Sequence, residues 1–193
     1  PLMSLFVSPL QAAAIILPTA LAQDVLTVWS YRHNWSAWNL KIMLPMVTVP
    51  GELEEARAHL DAVIVDLAKA GIAHKRPPLG IMVEVPSVAV TPERFQADFF
   101  SIGSNDLTQY VMAAARDLNS VAHLADTADP AVLHLIERVV DHGACEGVEV
   151  SLCGDAASDP ALVPHLLKSG LRKLSAAPGA VGRVKAAIAG IEL

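Results

Sequence analysis

The chain reads as an α/β protein made of five successive strand–helix units with parallel strands. Three observations lead there. Short apolar runs alternate with longer segments of helical periodicity. Apolar residues make up 53% of the 193 residues and charged residues only 18%, the balance expected of a sheet covered by helices rather than facing water. Polar residues recur where the apolar runs stop. Units of this kind wind right-handed, either as an arc of a closed barrel or as an open doubly wound sheet, and element order in the sequence leaves both open.

Residues 1–39 stand apart from this pattern. All three tryptophans (Trp29, Trp35, Trp38) lie there, and no Lys or Arg precedes Arg32. The apolar stretch from Leu2 to Ala22 lacks the basic start of a secretory signal, and Pro9 and Pro18 interrupt it as a membrane span. It is expected to be an irregular or helical segment that covers exposed core.

From residue 40 to 193 the units follow in order. Ile42–Val47 is a short apolar run ended by Pro50-Gly51. A helix is expected over Leu53–Ala70, with Leu53, Ala56, Leu60, Val63 and Leu67 on one stripe and Gly71 closing it. Gly80–Val85 is a second strand stopped by Pro86, and a short helix near Thr91–Gln96 leads to the strand Phe99–Gly103. A helix over Leu107–Ala115 and a polar loop from Arg116 to Asp129 follow. Pro130 then opens a helix carrying Leu133, Ile136, Val139 and Val140 inward. Val148–Cys153 is the fourth strand, a helix runs from Pro160 to Gly170, Lys173–Ala176 is the fifth strand, and Gly179–Ala189 the last helix.

Composition excludes several function classes. A net charge of −6, the absence of a basic cluster and 5% aromatic residues argue against nucleic-acid binding. Two cysteines, Cys145 and Cys153, form neither a disulfide framework nor a zinc-type pair, which fits a reducing, cytoplasmic setting away from membranes.

The chemistry gathers at the strand ends: Glu84, then Ser104-Asn105-Asp106, then Cys153-Gly154-Asp155, then Ser175. In parallel barrels and open α/β sheets alike, these ends converge on one face, where sites are built. A carboxylate inside the run Ile81–Val85 must be paired, either with a barrel Lys or Arg or with a cation. With Asp106 on the neighbouring strand end, Glu84 can share a Mg²⁺ ion whose other ligands are substrate and water oxygens. Asn105 can bond a phosphate or carboxylate oxygen, and it can also cap the helix that follows. Cys153 at a strand mouth suits acid–base or nucleophilic work, whereas Cys145 is expected to pack as a small hydrophobe on its helix.

Together, Gly80–Pro86, Asp98–Tyr110 and Cys153–Pro160 resemble the signature segments of phosphoenolpyruvate-utilising enzymes. Val121-Ala122-His123-Leu124, Asp129–Leu133 and Ile42–Val47 are closer to enzyme I of the sugar or nitrogen phosphotransferase system. The resemblance covers about Leu40 to Ile188 and implies a partial TIM-type (β/α) barrel, about the last five of eight units. It implies phosphoryl transfer from phosphoenolpyruvate to a histidine on a separate phosphohistidine domain and on to an HPr-type carrier, in a homodimer. Glu84 and Asp106 would hold Mg²⁺, Asn105, Asp106 and Arg116 would bind substrate, and Cys153 would exchange a proton with the methylene carbon. Three positions depart from the family: Ala115 stands where Asp is usual, Asp155 where Glu is usual, and Ser158 where Gly is common. The family's first three barrel strands and phosphohistidine motif have no match here. Competing readings are a non-catalytic binding or dimerisation module, and a pyruvate phosphate dikinase-like or citrate lyase-like enzyme.

Overall fold

A computed structural model describes residues 41–191, and the expectations for residues 1–39 lie outside these described residues. Five strands form one parallel sheet: β1 (Ile42–Leu44), β2 (Leu79–Val83), β3 (Phe99–Gly103), β4 (Glu149–Cys153) and β5 (Leu174–Ser175). Each strand pairs with its neighbours in sequence, in the order β1-β2-β3-β4-β5. A doubly wound sheet reverses its strand order at a switch point. This sheet has no reversal, so it is an arc of a β/α barrel.

The helices are α1 (Pro50–Lys69), α2 (Pro86–Val90), α3 (Ser104–Val111), α4 (Pro130–Glu146), α5 (Val163–Lys168) and α6 (Val181–Ala189). Local signals set their ends. Glu52 turns back on the start of α1, where Oε2 accepts the N–H groups of Thr48 and Val49 at 2.6 and 2.9 Å. These bonds favour the ionised carboxylate and lower its pKa. Pro130 fills the first position of α4, Asp129 Oδ1 accepts Ala131 N–H at 2.8 Å, and Gly147 closes the helix at φ 68°.

Side chains alternate across the strands. Leu79, Ile81 and Val83 of β2, Phe100 and Ile102 of β3 and Leu152 of β4 are buried, in one core with Val132, Ile136 and Val139 of α4. Helix α4 presses close to β4 at Gly143, where a β-carbon would collide with Val150. The opposite face of the sheet carries Gly80, Met82, Phe99, Ser101, Gly103, Ser151 and Cys153. At its lower end Glu149 accepts from Lys41 at 2.8 Å and from Lys173 at 2.5 Å, and Lys41 Nζ sits 4.8 Å from the Phe99 ring centre.

Several expected boundaries move. Pro86 opens α2 instead of only ending β2, and the helix expected at Thr91–Gln96 is a single 3₁₀ turn over Pro92–Arg94. The helix expected to begin at Leu107 starts at Ser104, directly off β3. The one expected from Pro160 begins at Val163, after a 3₁₀ turn over Asp155–Ser158. The first and fifth strands are shorter than expected, at Ile42–Leu44 and Leu174–Ser175.

Candidate functional site

Register aligns the candidate residues along one edge of the sheet. Val83 pairs with Ile102 and Gly103 with Cys153, so Glu84, Gly103 and Cys153 follow one another at one level across three adjacent strands. Cys153 also pairs with Ser175.

Glu84 is 4% exposed, the most deeply buried carboxylate of this edge. Its Oε1 accepts the N–H of Met46 at 3.0 Å, a backbone group turned toward it by a left-handed Met46 at φ 55°. Burial raises the Glu84 pKa, and a hydrogen bond and like charge from Asp106 raise it further. The Met46 N–H and the positive Arg116 act the other way. No Lys or Arg among the described residues forms an ion pair with Glu84. Asp106 is thus near enough to Glu84 to act on its ionisation.

Asp106 lies in the first turn of α3, where the helix N-terminus favours negative charge. Its Oδ1 accepts from Arg116 Nη2 at 3.0 Å. The loop is folded so that this contact forms: Ala113 takes φ 50°, and Arg116 N–H donates to Gln109 Oε1 at 3.3 Å.

Asn105 does not cap α3, because that helix already begins one residue earlier. Its amide instead clasps Asp155. Asn105 Nδ2 donates to Asp155 Oδ2 at 2.9 Å, and Asp155 N–H donates to Asn105 Oδ1 at 2.9 Å. Ser104, fully buried, donates to the Cys153 carbonyl at 2.8 Å. Gly154 makes this approach possible, since at φ 98° a β-carbon would meet Ser104 Oγ and Asn105 Oδ1. Asp155 thus serves in the clasp, and Ser158 Oγ accepts Ala177 N–H at 2.9 Å, joining the turn after β4 to the one after β5.

Cys153 is half-buried and its Sγ accepts a hydrogen bond from the buried Ser101 hydroxyl at 3.8 Å. Cys145, expected to pack away, is exposed on α4. The inward positions of that helix are Val132, Ile136, Val139, Val140 and Gly143, and Cys145 falls on the opposite side.

The donor set fits a hard cation. Two adjacent carboxylates can each give it one oxygen, and substrate and water supply the remainder. Among the described residues no group of three or more His, Cys, Asp and Glu side chains is arranged around a common metal position, so a closed all-protein cage is not what this edge offers. Sequence reasoning brought Glu84, Asn105, Asp106, Arg116 and Cys153 to this edge. It missed the Met46 N–H, Ser101 and the pairing of Arg116 with Asp106, and it placed Ser104 in the strand-end run without giving it a role.

The family described as PEP-utilising enzyme, PEP-binding domain, matches residues 19–193. The match therefore begins within the segment before residue 40. The chain is 44% identical over 153 residues to the phosphoenolpyruvate-protein phosphotransferase of Haloferax volcanii, covering 78% of this chain and 27% of that protein. The Bacillus subtilis protein of the same name is 44% identical over 140 residues, 71% of this chain and 25% of its own length. Phosphoenolpyruvate synthase of Pyrococcus furiosus is 39% identical over 154 residues, covering 78% and 18%. The chain thus spans about a quarter of the phosphotransferases it matches. A solved Burkholderia xenovorans citrate lyase superposes with TM-score 0.53 at 16% identity, covering 79% of this chain and 49% of that one. At that identity the likeness concerns the fold alone. Among the described residues no helix is long and apolar enough to cross a membrane.

Proposed function

The chain belongs to the PEP-utilising enzyme family through its PEP-binding domain, and from that premise we propose that it is the phosphoenolpyruvate-handling part of a phosphoenolpyruvate-protein phosphotransferase. The observation that carries the reading is the convergence of Glu84, Asp106, Arg116 and Cys153 on one strand-end edge, with Asp106 bonded to Arg116 and its charge acting on Glu84.

Each residue has a distinct task in this reading. Glu84 and Asp106 hold Mg²⁺, which when bound offsets phosphate charge and orients the phosphoryl group. Arg116 donates its planar fork to the phosphate, a geometry that suits two oxygens at once. The free edge of the Asn105 amide adds a neutral donor while the clasp with Asp155 fixes its direction. The phosphoryl group leaves the enol oxygen for a histidine nitrogen on another domain, and the enolate of pyruvate remains. The Cys153 thiol gives its proton to the methylene carbon, forming pyruvate, and the thiolate takes a proton back from water. Ser101 holds the sulfur on the side of the sheet where this carbon lies.

The acceptor histidine and an HPr-type carrier belong to the same reading as partners outside this chain, as do a homodimer, a cytoplasmic setting and service to sugar or nitrogen uptake. Sharing the phosphoenolpyruvate half of the chemistry explains why a phosphoenolpyruvate synthase is also similar.

The test is binding followed by transfer. Calorimetry of the chain with phosphoenolpyruvate is expected to show Mg²⁺-dependent binding that Glu84→Gln and Asp106→Asn each abolish. With labelled phosphoenolpyruvate, Mg²⁺ and HPr, label reaches HPr only when a phosphohistidine domain is added. Binding that ignores both carboxylate substitutions, or labelled HPr without the added domain, would refute the assignment.

A further inference from the structure

This inference rests on the reading above, in which Asp106 receives a divalent cation and Arg116 a phosphate. In the structure those two ligand groups hold each other, Arg116 Nη2 to Asp106 Oδ1 at 3.0 Å. The fold presets this pairing through the backbone. Gln109 lies one helical turn beyond Asp106 on the same face of α3, and its side chain anchors the Arg116 backbone at 3.3 Å. The loop is therefore held beside Asp106 by its backbone while the guanidinium stays free to swing. Both side chains have room to move, at 30% exposure for Asp106 and 50% for Arg116.

We propose that Arg116 is an exchangeable counter-ion: it neutralises Asp106 while no cation is present, and a divalent cation arriving there releases it toward the substrate anion. A guanidinium and a dication against one carboxylate oxygen repel each other, so only one can keep the contact. The released guanidinium has its donors free and lies within a side chain's reach of the cation, where a bridging phosphate would sit. Cation and anion binding are then coupled, and the coupling is reciprocal by thermodynamic linkage. Without the exchange, an arginine fixed on Asp106 would oppose the cation and be lost to the anion.

The experiment titrates the 193-residue chain with Mn²⁺ alone, following free Mn²⁺ by electron paramagnetic resonance, for the wild type, Arg116→Met, Arg116→Lys and Asp106→Asn. Because Arg116 is exposed, all arginine variants are expected to keep the wild-type circular dichroism. Arg116→Met is expected to bind Mn²⁺ about two- to five-fold more tightly, the range a partly exposed ion pair supports. Arg116→Lys, with its charge but no fork, falls between. Phosphoenolpyruvate added at saturation is expected to tighten Mn²⁺ binding by a larger factor in the wild type than in Arg116→Met. If the wild type binds Mn²⁺ and Arg116→Met binds it no more tightly, the exchange is refuted and the functional reading stands. If neither binds Mn²⁺ better than Asp106→Asn, both fall.

Discussion

Replacing Gly154 with alanine tests whether the site is held together by the close approach of two turns. Gly154 has φ 98° and ψ −172°, a region that only glycine occupies without strain. A side chain there costs about 1–3 kcal/mol in backbone conformation alone. The added methyl also meets Ser104 Oγ and Asn105 Oδ1, so it strains the bond from Ser104 to the Cys153 carbonyl and the two-way clasp of Asn105 with Asp155. Each such bond contributes about 0.5–1.5 kcal/mol. A loss of about 3 kcal/mol or more is the conservative expectation. In a chain of this length that lowers Tm by about 6–12 °C. Thermal unfolding followed by circular dichroism measures it, with Gly51→Ala as the control. Gly51 sits inside α1 with open space around its Cα, so alanine there should leave Tm unchanged or raise it. A Gly154→Ala Tm within about 1 °C of wild type would sink the reasoning.

Thiol labelling of the folded chain should modify the exposed Cys145 before the half-buried Cys153, and the reverse order, read by peptide mass, would contradict the burial described. Burial raises the Glu84 pKa above 4.5, so the fold favours the neutral carboxyl, and this stability is lost as pH rises through the raised value. The amide introduced by Glu84→Gln never ionises, so the Tm advantage of that variant over wild type without metal should grow with rising pH, and an advantage that shrinks would reverse the sign of the argument. Mg²⁺ at a hundredfold excess over its Kd should stabilise the wild type by about 2.7 kcal/mol and Glu84→Gln by nothing measurable, as thermal shifts would show. Gly80→Ala places a methyl 2.5 Å from the Phe99 carbonyl and 2.6 Å from its ring. It should destabilise by about 1–3 kcal/mol, seen as a lower urea midpoint.

What is legible in the sequence divides along physical lines. Strands β3 and β4 are legible because Phe100 and Ile102, and Val150 and Leu152, recur at every second position in short runs that end at Gly103 and Cys153. Strand β1 is shorter than its apolar run because Pro45 and Met46 look apolar, yet the chain leaves the sheet there and Met46 adopts φ 55° to aim its N–H at Glu84. A backbone donor carries no side-chain signature, so no pattern could have announced it. Pro86 ends a strand and is also the first residue of a helix, two meanings that one residue type carries equally well. The misplacement of Cys145 was avoidable. Positions 132, 136, 139, 140 and 143 define the inward stripe of α4, and two residues past Gly143 is about 200° around the helix. Periodicity points to the right answer, and the general hydrophobicity of cysteine displaced it.

The placement of Gly103 connects the fold to the space left beside Glu84. Glu84, Gly103 and Cys153 lie at one level on three neighbouring strands, so the outer two are separated by two strand spacings, about 9–10 Å. Any side chain at the middle position would fill that interval, and a β-carbon on Gly103 would already stand 3.0 Å from Glu84 Cγ and 3.2 Å from Met82 Cγ. Glycine leaves the interval open between the carboxylate side and the thiol. In the proposed reading a small phosphorylated acid occupies it, with its phosphate toward Asp106 and Arg116 and its carbon end toward Cys153. The parallel register therefore does more than bring polar residues to one edge, because it puts the carboxylate and the thiol on separate strands with an unfilled position between them, which is what the proposed chemistry requires.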